Sequence, residues 1–151
     1  MKFSALFTPI ALLAGFASAA LPINLYYDEK LDDKSILMKN TSCASTQLAE
    51  KYPDFGSIPT RLASASVHLM GWNTDKCGSC WQIEYTDRQG EKHSLHALAV
   101  NTEGGRPMGT AFIKVGLSTM NELTRGRGRE LIRVDAEAHE IHPQACLHRR
   151  P

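Results

Sequence analysis

Apolar positions along this chain recur mostly at strand spacing, with one clear interval at helical spacing. Residues 23–27 alternate apolar and polar side chains, imperfectly, and predict a first strand. The acidic stretch Asp28, Glu29, Asp32, Asp33 reads as a solvated loop, and Ile36-Leu37-Met38 as a short second strand. Residues 45–52 begin with Ser and Thr, carry Leu48-Ala49 in the middle and stop at Pro53, which predicts a helix of two turns. Residues 56–59 form a bend, and residues 63–70 alternate weakly before the turn Gly71-Trp72-Asn73. Residues 81–86 and 93–100 are the clearest strands, joined by the hairpin loop Asp87-Arg88-Gln89-Gly90. After the break at Gly104-Gly105-Arg106-Pro107, Ile113, Leu117, Met120 and Leu123 recur at helical spacing and predict a helix centred on 118–123. Arg125, Arg127 and Arg129 then read as a flexible basic loop. Residues 131–134 and 136–141 read as final strands split at Asp135, and residues 148–151 as a disordered tail. The sum, with no internal repeat, is mainly β with short helices: a small barrel or sandwich.

The first nineteen residues do not belong to that fold. Lys2 provides a positive start, residues 5–16 an apolar stretch, and Ala17-Ser18-Ala19 the small residues of a cleavage site, so 1–19 reads as a signal peptide. A membrane anchor would need a longer apolar core. The domain is then 20–147, and the protein is expected to be secreted and monomeric. Its 17 basic residues nearly balance its 16 acidic ones. That balance argues against a nucleic-acid partner held by bulk charge, and no later stretch is long and apolar enough for a membrane span.

Export changes the meaning of Cys43, Cys77, Cys80 and Cys146. An even set in an oxidising compartment is most simply two disulfides, with three pairings open. A redox Cys-x-x-Cys at 77–80 would need a helix after it, whereas strand-like Trp81-Gln82-Ile83 follows. A zinc site could recruit only His139 and His142, so no metal and no cofactor is expected. Asn40-Thr41-Ser42 is a glycosylation sequon and places Asn40 on the surface. Glycan cleavage needs two carboxyl groups in different protonation states. Among Asp28, Asp32, Asp33, Glu84, Glu103, Asp135 and Glu137, spacing marks no pair. Asp135 stands out because it interrupts the apolar run around Leu131, Ile132 and Val134. His93 and His96 fall on opposite faces of a strand. Trp81 reads as core, whereas Trp72, in its turn, could pack or stack on a sugar.

In order, Tyr27-Asp28, Ser42-Cys43, Lys51-Tyr52, Ile58-Pro59, Gly71-Trp72-Asn73, Cys77-Gly78-Ser79-Cys80-Trp81, Leu98-Ala99-Val100, Met120-Asn121, Arg133-Val134-Asp135-Ala136 and Ala145-Cys146 resemble the cerato-platanin family of small secreted fungal proteins. The resemblance covers residues 27–147. It implies a six-stranded double-psi β-barrel similar to those of expansins and barwin-type plant defence proteins, with bridges Cys43–Cys77 and Cys80–Cys146. It also implies a phytotoxin or elicitor of plant defence, binding chitin (N-acetylglucosamine) oligomers in a shallow groove without being an enzyme. A plant receptor is the implied partner. On this resemblance the carbohydrate-binding residues are Asp28, Trp72, Asn101 and Asp135. The family usually has Asp where Asn101 stands, and a family Asn is replaced near Lys114. An amide cannot act as general acid or base, although it still hydrogen-bonds sugar hydroxyls. Two rival readings remain. One is expansin-like wall loosening or weak glycan cleavage using Asp135. The other is an effector whose Arg125–Arg129 loop and basic tail contact a host protein or membrane.

Overall fold

The structure is a computed structural model and describes residues 19–71, 75–104 and 111–147. Trp72, the tail 148–151 and all of the export segment but Ala19 lie outside the described residues. The strands are β1 (Leu21–Tyr27), β2 (Leu62–Ser66), β3 (Cys80–Thr86), β4 (Lys92–Glu103), β5 (Phe112–Val115) and β6 (Arg133–Ile141). They close into a barrel in the order β1–β5–β2–β4–β3–β6, the closed six-stranded architecture that the resemblance implies. Two pairings, β1 with β5 and β2 with β4, are parallel and the rest antiparallel. Closure gives every strand two neighbours and leaves no open edge for a second chain to pair with.

Side-chain alternation sets what lies inside. On β6, Val134, Ala136 and Ala138 are buried while Arg133, Asp135 and Glu137 are exposed. With Leu25, Ile83, Ile113 and Val115, all fully buried, they belong to one continuous core. Among the described residues the barrel is accompanied by five short α-helices, α1 (Gln47–Lys51), α2 (Val67–Met70), α3 (Leu117–Leu123), α4 (Gly128–Leu131) and α5 (Gln144–Leu147), besides 3-10 turns. Both crosslinks are closed as the resemblance implies. Cys43–Cys77 and Cys80–Cys146 span 34 and 66 residues, worth about 4 kcal/mol each in the chain-entropy account. Gly78, between the two bridged cysteines, has φ +84° and donates its N–H to Ala99 O at 2.9 Å. A side chain there would strain the turn that sends Cys77 and Cys80 to different partners.

Several expectations are corrected. Residues 36–38 do not form a strand: Leu37 makes a single bridge to Asp54, and Met38–Asn40 is a 3-10 turn. Ile113 belongs to strand β5, not to the helix. The apolar positions that match at helical spacing straddle Gly116, where strand ends and helix begins. Residues 67–70 leave the strand pattern as helix α2. The last strand is continuous through Asp135, whose outward position is ordinary alternation. The basic loop is matched by acid partners: Arg125 pairs with Glu91, Arg127 with Glu130 and Arg129 with Glu29. Glu130, hydrogen-bonded to Arg127, is held below the usual carboxylate range.

Acidic residues, Asp28, Asp32 and Asp33 of the loop expected to be solvated among them, also fasten turns. Asp28 and Asp54 accept backbone N–H groups from Lys30 and Ser57, capping 3-10 turns, and Asp33 does the same for Ser35. Asp32 bonds both the backbone N–H and the hydroxyl of Ser118, tying the loop after β1 to the start of α3. This contact requires Gly116, because a Cβ there would lie 2.2 Å from Asp32 Oδ1. Gly116→Ala is therefore expected to destabilise the protein by about 1–3 kcal/mol. Equilibrium urea unfolding measures it, and an unchanged midpoint would contradict the contact. Asp87 accepts from the His93 ring at 3.1 Å and from the N–H groups of Glu91 and Gln89, which hold its carboxyl below the ordinary range. A depressed folded value stabilises the fold above the unfolded value, and the benefit is lost as pH falls through the folded one. Asp87→Asn should flatten the loss of unfolding free energy below about pH 4, measured against wild type.

Candidate functional site

The outward face of β1, β5, β2 and β4 carries a row of polar and aromatic groups. Register sets Tyr26 beside Lys114, Lys114 beside Ser64, and Ser64 beside Asn101. Four strands spaced about 4.8 Å apart give this row a span of about 14 Å. Lys114 Nζ reaches along the face to the Glu103 carboxylate in a half-buried ion pair. At one end Tyr26 meets Phe112 edge to face, ring centroids 6.3 Å apart. The tyrosine ring, a positive head, a carboxylate and an amide, each half-buried, thus share one face of rigid strands, while Phe112 and Ser64 of the same face are buried.

Asn101 has a structural duty in this row. Its Oδ1 accepts the Ser42 N–H at 2.9 Å, and its Nδ2 lies 3.4 Å from Ser64 Oγ. The donor N–H of Ser42 fixes which end of the amide is oxygen. In return the Thr102 N–H donates to Ser42 Oγ at 2.6 Å. The pair of bonds clasps the segment carrying Cys43 onto β4, and one Nδ2 hydrogen remains for an outside partner.

The other expected site residues are dispersed. Asp28 follows β1, beyond the Tyr27–Val115 pair, and its carboxylate caps a turn. Asp135 lies opposite Asn24 on the other flank of β1, with its side chain 86% exposed and Arg133 3.8 Å away. A carboxyl so open to water lacks the surroundings that keep a catalytic acid protonated. Trp72 lies outside the described residues. Asn40 is exposed, as its sequon requires, whereas Ser42 of the same sequon is buried in the clasp. Tyr26, Phe112 and Lys114 were missed as one site because β5 is short and its Ile113 also fits the helical period. Lys114, the one polar side chain in the apolar run 112–115, is the signal that could have placed β5 beside Tyr26. On a different part of the surface, an open cleft of about 1090 Å³ is lined by Arg61, His96, Glu122 and His142 among others. Among the described residues, it contains none of those expected to bind carbohydrate, although Cys146 of the second bridge lines it.

Comparison with known proteins is consistent with this geometry. Residues 23–148 match the sequence profile of the family described as Cerato-platanin. Allergen Asp f 15 of Aspergillus fumigatus is 31% identical, with 97% of each chain covered. The heat-stable 19 kDa antigen of Coccidioides posadasii is 26% identical, covering 97% of this chain and 98% of its own. Among solved structures, cerato-platanin 3 of M. perniciosa superposes with a TM-score of 0.70 at 27% identity, covering 83% of this chain and 98% of its own. Cerato-platanin 2 of the same organism gives 0.70 at 26%, with the same coverage.

The clasp predicts how position 101 responds to substitution. Asn101→Ala leaves the Ser42 N–H without its acceptor and is expected to cost about 1–3 kcal/mol. Asn101→Asp keeps an acceptor and should cost clearly less. Urea unfolding of both variants measures the difference, and equal losses would contradict the assignment.

Proposed function

The chain belongs to the cerato-platanin family, and from that premise we propose that it is an extracellular, non-catalytic protein that adheres to cell-wall polysaccharide. N-acetylglucosamine oligomers are the first ligand class. The observation that carries this reading is the row of half-buried Tyr26, Lys114, Asn101 and Glu103 on one rigid outer face, with the buried Phe112 packed against Tyr26. Sugars are bound by such mixtures: hydroxyls pair with charged and amide groups, while ring C–H faces lie on aromatic surface. The groups stand on strands, so little ordering is needed when a ligand arrives. Asp28 and Asp135 flank this row and do not converge on it, which supports adhesion over bond cleavage.

Export supports the same reading. Two disulfides in a small domain suit an oxidising compartment, and the relatives' names, allergen and heat-stable antigen, describe proteins met by another organism's immune system. An elicitor role, with a plant receptor as partner, follows as the corresponding proposal for this chain.

Titrating chitooligosaccharide into isotopically labelled protein should shift the amide resonances of Tyr26, Phe112, Lys114 and Asn101 together. Shifts absent from all four would overturn the ligand assignment. Incubation with chitin or cellulose oligomers should release no new reducing ends. Release that disappears in Asp135→Asn would instead establish the cleavage reading.

A further inference from the structure

On the opposite flank of the barrel, β3 and β6 bring together three side chains with metal-ligating chemistry. Glu84 lies opposite Glu137 in the antiparallel register, and Gln82 opposite His139. Glu137 and His139 are two residues apart on β6 and so project from the same face. The ligand atoms of Glu84, Glu137 and His139 lie within 4.8 Å of one another. Gln82 Nε2 donates to Glu84 Oε1 at 2.7 Å and holds that carboxylate in position.

Two carboxylates on directly opposed residues repel each other. Among the described residues, neither Glu84 nor Glu137 has a basic side chain at ion-pair distance, whereas the neighbouring Glu140 is paired with Lys76 and Asp135 with Arg133. The second cluster of this kind, Asp87, Glu91 and His93, differs in that respect. There Asp87 is occupied by the His93 ring and two backbone N–H groups, and Glu91 pairs with Arg125. The Glu84–Glu137 pair therefore presents a concentrated negative charge next to an imidazole.

We propose that Glu84, Glu137 and His139 form a binding site for a divalent transition metal, of which zinc is the best matched. Two carboxylate oxygens and one imidazole nitrogen are a recognised zinc donor set with bonds of about 2.0–2.2 Å. Tetrahedral donors at that radius stand about 3.3 Å apart. Closing from within 4.8 Å asks for about 1.5 Å of approach between ligand atoms, which lies within the reach of side-chain rotation. Magnesium, which keeps its waters and prefers oxygen donors, matches less well. The cation removes the Glu84–Glu137 repulsion and crosslinks β3 to β6, close to where Cys80 pairs with Ile141 in the same ladder. The fourth position stays open to water or to a donor from outside. This site differs from the zinc alternative considered on sequence, because the cysteines are bridged and His142 is not among the three ligands.

The test is calorimetric titration of zinc chloride into the untagged, disulfide-bonded protein, with thermal unfolding in parallel. One equivalent should bind, and the unfolding midpoint should rise with zinc and not with the same concentration of magnesium. Glu137→Gln and His139→Gln should each weaken binding at least tenfold. Asp135→Asn and His93→Gln should leave it unchanged. Circular dichroism of each variant, matching wild type, keeps the comparison to folded proteins. Absence of a saturable heat in wild type overturns the proposal. So does binding that survives Glu137→Gln and His139→Gln, or that is lost in His93→Gln.

Discussion

Between β1 and β2 the chain spends more than thirty residues outside the barrel, with only short helical turns of its own. Besides the Asp32–Ser118 bonds and the burial of Leu31, Met38, Phe55 and Ile58, that segment is fastened by a reciprocal pair of hydrogen bonds, Ser42 N–H to Asn101 and Thr102 N–H to Ser42 Oγ, beside the Cys43–Cys77 bridge. The covalent link limits how far the segment can stray, while the hydrogen bonds fix its orientation on β4. Ser42 is almost fully buried, so these bonds are made away from water, where leaving a partner unmade is costly. The loop thereby becomes part of the wall against which the outward row on β4 is built.

That constraint connects fold to function. A sugar-binding face gains little from each hydroxyl contact, since every group exchanges water for ligand. It benefits when the protein side is already ordered. Closed strands, two crosslinks and an amide held by the clasp provide such order. A hydrolytic site would need in addition a carboxyl shielded from water near a second one. Asp28 serves as a turn cap and Asp135 is open to solvent. The barrel thus uses one of these acids in a turn cap and leaves the other in open solvent.

Much of this was legible in the residues. The strand at 81–86 was legible from its alternation and that at 93–100 from its apolar run Ala97–Val100, buried on both faces, while the disulfide pairing came through the family resemblance of the blocks around Cys77, Cys80 and Trp81. β5 was not legible: with four residues followed by Gly116, its Ile113 fits the spacing of the next helix as well as that of a strand. Asp28, Asp32 and Asp33 resembled solvated charge because capping depends on which N–H groups the folded loop turns toward them. Nor could spacing set Glu84 against Glu137, more than fifty positions apart. Barrel register alone joins them. Asn101 was legible as a departure from the Asp usual in the family, but its bond to Ser42 spans 59 positions and shows only in the fold.

The most direct measurement of the clasp is native-state amide hydrogen exchange in the disulfide-intact protein. The account predicts that the Ser42 and Thr102 amides are protected to within about tenfold of the β3–β4 core amides, as groups that open only with the barrel. Exchange of these two amides at the rate of an exposed loop would contradict it.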